Sequence, residues 1–140
     1  MSGLTDEFIH RKSSQEITSL LYEAAIHNIN EAITAIQMKN YMEANGNLQK
    51  TNDILYRLGA GLNYEAGIIS DQLDALYNYL AEQVIEANLK KQIEPLKLAL
   101  EILTNLAGAW NQGIKAKPET RFKTIRQKTN IYEQHVMQES

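Results

Sequence analysis

Apolar residues recur along this chain three and four positions apart, the period of an amphipathic helix rather than the alternation of a strand. The line Ile17, Leu20, Leu21, Ala24, Ala25, Ile29, Ala32 and Ile36 predicts a first helix over about 14–38. Ser13 and Glu16 stand at the spacing of a capping box and mark its start. Asn40 breaks the pattern, and Tyr41, Ala44, Leu48, Thr51, Leu55, Leu58 and Leu62 predict a second helix over 41–62. That stripe keeps its phase through Asn45-Gly46-Asn47, so the turn such a tripeptide would otherwise signal is rejected. Leu73, Leu76, Leu80, Val84 and Ala87 predict a third helix over 70–91, capped by Ser70 or Asp71. Leu96, Ala99, Leu100, Leu103, Leu106, Ala107, Trp110 and Ile114 predict a fourth over 95–115, with Pro95 tolerated in its first turn. Four amphipathic helices of similar length with short connections predict an all-α fold, an antiparallel four-helix bundle. Lys117-Pro118-Glu119 interrupts the pattern, and Phe122, Ile125, Thr129, Tyr132 and Val136 then mark one face of an extra helix. The expected organisation is a bundle domain over 1–116, opened by a short N-terminal segment, and a C-terminal helical extension over 117–140.

The apolar surface exceeds what a bundle requires. An apolar arc of about 100° suffices for a helix that faces one core. Beside the core line of the first helix runs a second track of Tyr22, Ile26, Ile29 and Ile33. The third helix adds Tyr77, Ala81 and Ile85, and the fourth adds Leu98, Ile102 and Ala109. Such tracks are either covered by other parts of the chain, or by a second copy as in a homodimer, or they receive a partner helix.

Composition narrows the chemistry. With 44% hydrophobic and 22% charged residues, the 140-residue chain has the make-up of one globular domain. Cysteine is absent, which removes a thiol nucleophile, a disulfide framework and Cys-based metal sites. His10, His27 and His135 lie far apart, and no Glu-x-x-His pair of a di-iron bundle occurs. His27 lacks the lysine and glycine that should follow a phosphotransfer histidine, and is a polar-face residue. Gly59-Ala60-Gly61 has neither the lysine nor the preceding strand of a phosphate loop. The expectation is therefore no enzyme, no cofactor and no metal. Six of the 14 basic residues fall after Ile114, against three of the 17 acidic ones, so the body is acidic and the tail basic. An acidic body disfavours nucleic acid as a partner. No apolar run reaches the roughly 18 residues of a membrane span and no signal-peptide pattern opens the chain, so the expected location is the cytoplasm.

Three short motifs point to a family. The first helix carries Leu21-Tyr22-Glu23, the third Leu76-Tyr77-Asn78-Tyr79 leading to Glu86-Ala87-Asn88, and the fourth Ala109-Trp110. Their order and spacing from Ser13 to Ile114 resemble the FliS family of flagellar export chaperones. The resemblance implies a cytoplasmic bundle that binds the C-terminal segment of flagellin and prevents premature polymerisation before type III secretion. It also implies possible contact with the export apparatus. The candidate partner-binding residues are Tyr22, Ile26, Ile29, Ile33, Tyr77, Ala81, Ile85, Asn88, Leu98 and Ile102. The competing expectation is a non-enzymatic regulatory bundle that binds another flagellar or secretion component. The chain departs from the pattern in three places. It has Ala24 where a glycine is usual, no tyrosine in its opening segment, and a long extension after the tryptophan.

Overall fold

The computed structural model describes residues 2–62 and 69–115, with side chains placed for 14–62 and 69–113. Four helices make up the described chain: α1 (Ser2–Gln37), α2 (Tyr41–Ala60), α3 (Ser70–Lys90) and α4 (Glu94–Lys115). Each packs against two others in ring order, α1 on α2, α2 on α3, α3 on α4 and α4 back on α1. Direct contacts give the directions. Trp110, near the end of α4, reaches Gln15 in α1. Asn45 meets Asn88, and Gly59 faces Asp74, so fourteen residues of α2 match fourteen of α3 in antiparallel register.

The core follows the predicted lines on α2 and α3 closely. Ala44, Leu48, Thr51, Leu55 and Leu58 are buried on α2, and Leu73, Leu76, Leu80, Val84 and Ala87 on α3. Thr51 is the one buried polar side chain of the described core, and its hydroxyl donates to the Asn47 carbonyl at 2.9 Å. That bond removes the penalty for an unpaired hydroxyl in an apolar layer. On α1 the stripe is rotated from the expected one. The buried line is Tyr22, Ala25, Ile29, Ala32 and Ile36, whereas Leu20 is 61% and Ile17 55% exposed. On α4, Ile102 and Ala109 enter the core while Leu100 and Ala107 are half-buried.

Helix ends show where local signals won and where they lost. Lys39 closes α1 with a left-handed φ of 61°, and its neighbour Asn40 caps α2. The Asn40 side chain accepts from the Glu43 backbone N–H and donates to the Glu43 carboxylate at 2.8 Å. The expected start at Ser13 is overturned: α1 runs unbroken from Ser2. Nothing between Leu4 and Lys12 is glycine or proline, and serine inside a helix costs only a few tenths of a kcal/mol, about half of what glycine does. A capping box can start a helix but cannot stop one already running. The expected cap of α3 is also corrected. Ser70 is already helical, and Ile69 holds the cap position without a side-chain hydrogen bond. The extension over 117–140 lies outside the described residues.

Gly46 sits within the regular course of α2, with no atom within 4 Å of where a Cβ would stand. Gly46→Ala should therefore stabilise the bundle by about 0.4–1 kcal/mol, chiefly by restricting the unfolded chain. Urea unfolding followed by circular dichroism measures this. A loss of stability would show that the open space at Gly46 is not free.

Candidate functional site

The residues that carry the sequence motifs meet inside the bundle. Tyr22 of α1 and Tyr77 of α3 share a hydrogen bond between their hydroxyls across the interior. Their ring centroids are 6.5 Å apart, and Tyr22 meets Trp110 of α4 edge-on at 6.4 Å. The Trp110 indole N–H donates to the Gln15 carbonyl at 3.1 Å. Aromatic edges and faces attract in this geometry, and the polar tips need partners once buried. The three motifs therefore lock α1, α3 and α4 together.

Part of the expected contact surface lies inside the bundle. Tyr22 and Ile29 on α1, Tyr77 on α3 and Ile102 on α4 are core residues, none more than 4% exposed. When an apolar arc is broad, its spacing cannot say which edge faces inward. The two neighbouring helices decide that. Ile26, Ile33, Ala81 and Leu98 are half-buried at the edge of the core, and Ile85 is 50% exposed. Asn88 is occupied within the fold: its side-chain amide donates to Asn45 at 2.6 Å and its carbonyl accepts from Lys91 at 2.6 Å. Lys91 also stands 5.8 Å over the Tyr41 ring. Asn88 thus clamps one end of the α2–α3 pair.

Between these same helices lies an open groove of about 520 Å³. From α3 it takes Asp74, Tyr77, Asn78, Ala81 and Ile85, and from α2 Asn52, Leu55, Tyr56, Gly59 and Ala60. So the structure brings together the third-helix track, Tyr77, Ala81 and Ile85, and leaves Ile26, Ile33 and Leu98 on other helices. It adds a wall that the sequence reading missed. Tyr56 is 79% exposed, yet it stands alone on the polar face of α2 and carries no periodic signal. Gly59 and Ala60 matter by being small, which opens the groove mouth beside Asp74. One polar atom in the lining is unusual: the Asn52 side-chain carbonyl oxygen is buried without a partner.

Among the residues with described side chains, no Asp, Glu, Lys, Arg or His is buried. His27 is exposed, and among the described residues no three His, Asp or Glu side chains are grouped as metal ligands. Among them too, no helix is long and apolar enough to cross a membrane. The fold and the groove define a class: helical bundles with an open apolar cleft between two of their helices. Residues 5–118 match the family model described as flagellar protein FliS, so the chain belongs to the FliS family. It is 30% identical over 108 residues to the flagellar secretion chaperone FliS of Vibrio cholerae serotype O1, covering 76% of this chain and 79% of that protein. Against the flagellar secretion chaperone FliS of Bacillus subtilis the identity is 28% over 106 residues, covering 76% and 79%. Against that of Salmonella typhimurium it is 26% over 116 residues, covering 81% and 84%.

Proposed function

We propose that this member of a flagellar secretion chaperone family binds the C-terminal segment of flagellin in the cytoplasm and keeps it from polymerising before export. The reading is supported most by the α2–α3 groove, a largely apolar cleft whose lining includes the exposed Tyr56 and Ile85. An amphipathic helix laid in such a cleft is a recurring mode of recognition. Ile26 and Ile33 on α1 and Leu98 on α4 are half-buried against the core and offer a long segment further apolar contacts outside the groove. The action is that of a binder without catalysis: the cargo is held by burial of its apolar face. Ordering a disordered segment on binding costs about 2–5 kcal/mol of the gross interaction energy. That cost keeps the complex releasable at the export gate.

The test is gel filtration after co-expression with the host's flagellin fragments. The C-terminal fragment should co-elute in a one-to-one complex, and the N-terminal fragment should not. Co-elution with the N-terminal fragment alone would overturn the assignment. Capture of a different flagellar component with no affinity for flagellin would favour the regulatory reading.

A further inference from the structure

We propose that the α2–α3 groove accepts its partner helix in one direction only. The N-terminus of that helix lies at the Asp71 and Asp74 end and its C-terminus at Lys91, so it runs parallel to α3 and antiparallel to α2. This rests on the groove being the cargo site, as argued above, and adds the orientation of the cargo.

The apolar surface does not stop at Ile85. Leu89 stands one turn further along the same face of α3 and is 80% exposed. Met42 precedes the groove residue Ala60 by about eighteen residues, which is five whole turns and therefore the same face of α2. It is 87% exposed. Asn45 bonded to Asn88, and Lys91 over the Tyr41 ring, hold these two helix ends side by side. A strip therefore runs from Tyr56 and Ala81 through Ile85 to Leu89 and Met42. From Asp74 to Lys91 it is about 25 Å long at 1.5 Å per residue, the length of a helix of four to five turns.

The two ends of the strip carry opposite charge. Asp71 and Asp74 are exposed at the first. There a second cavity of about 260 Å³ adjoins the groove at Gly59 and Asp74, and Leu62, Ser70 and Asp71 complete its lining. On α2, Lys50 and Arg57 stand more than a quarter turn round from Tyr56, on the flank away from α3. At the other end Lys91 donates to the Asn88 side-chain carbonyl at 2.6 Å and has no carboxylate partner among the described residues. The acidic residues of that end are engaged elsewhere: Glu86 with Lys90, Glu94 with Lys97 and Glu43 with Asn40. Asp53 and Glu82 are exposed beside the middle of the strip, one on each rim, and favour neither direction.

A helix presents unpaired N–H groups and partial positive charge at its N-terminus, and unpaired carbonyls and partial negative charge at its C-terminus. In the proposed direction the N–H groups meet the two aspartates and the carbonyls meet the Lys91 ammonium. The reverse direction sets carbonyls against aspartates and N–H groups against the ammonium. Because α2 and α3 are antiparallel, their own dipoles oppose each other along the groove and leave these side chains to decide.

The test uses the full chain, whose lack of cysteine allows one labelled position at a time. Met42→Cys and Ala60→Cys, each carrying a benzophenone photo-cross-linker, are irradiated with a bound flagellin C-terminal fragment, and mass spectrometry locates the captured residues. Those captured from Ala60 should precede those captured from Met42 by about eighteen positions. Without labels, Lys91→Met and Asp74→Asn should each weaken binding by about two- to fivefold, the size of one charge at a helix end. Lys90→Met, which removes a charge already paired with Glu86, should leave binding unchanged. Captured residues in the reverse order, or tighter binding by Lys91→Met and Asp74→Asn, would overturn the direction and leave the groove as the cargo site. The same residues captured from both positions would mean that the helix crosses the groove, and an equal loss in Lys90→Met would reduce the charge effect to a general one; either sinks the inference. No capture from either position, with the fragment bound and insensitive to Ile85→Glu, would remove the cargo from the groove and the inference with it.

Discussion

Trp110→Ala should destabilise the bundle by about 3–5 kcal/mol, the usual range when a buried tryptophan is truncated. The indole is 3% exposed, touches Tyr22 edge-on, and ties α4 to the Gln15 carbonyl. Its removal opens a cavity where α1, α3 and α4 meet and leaves that carbonyl without its indole partner. A domain of this kind has only about 5–15 kcal/mol in total. The loss should lower the melting temperature by roughly 10–20 °C, at a few degrees per kcal/mol for this size. Trp110→Phe keeps an aromatic edge and should cost less than half as much. Far-ultraviolet circular dichroism is the right probe, since Trp110 is the only tryptophan and fluorescence would vanish with it. A melt within about 2 °C of the wild type would mean the aromatic junction does not hold the helices together.

Ile85→Glu should do the reverse: leave the melt nearly unchanged and weaken binding of a flagellin C-terminal fragment by at least about tenfold. Ile85 is 50% exposed at the groove wall, so a carboxylate there stays hydrated in the free protein. Only the complex buries it, and an unpaired charge in an apolar contact costs well over the roughly 1.4 kcal/mol that a tenfold change represents. Ile102→Glu supplies the contrast. It lies on a track that looks equivalent by spacing, yet the side chain is wholly buried, so the same substitution should prevent folding. Calorimetry of the fragment on Ile85→Glu, with a thermal melt alongside, separates the two effects. Unchanged affinity at Ile85 would place the flagellin site elsewhere on the bundle.

Four helices, their order and most of their limits follow from the amino-acid sequence alone. The 3-4 spacing of α2 persists through Gly46 because one glycine costs about 1 kcal/mol while a stripe of buried leucines is worth several times that. The three motifs were legible too, as residues; their meeting at one aromatic junction was not. Tyr22 and Ile26, or Ile102 and Leu98, are equally apolar and equally periodic. Which of each pair is buried depends on where the neighbouring helices lie, and spacing along one helix contains no information about that. The groove is the clearest case. Three of its ten lining residues are Tyr56, Gly59 and Ala60, which signal nothing in one dimension. They become a surface only when the antiparallel register of α2 on α3 sets them opposite Tyr77, Asn78 and Asp74. Secondary structure is decided by contacts within a turn or two of each residue, whereas a cleft is decided by which helix stands next to which.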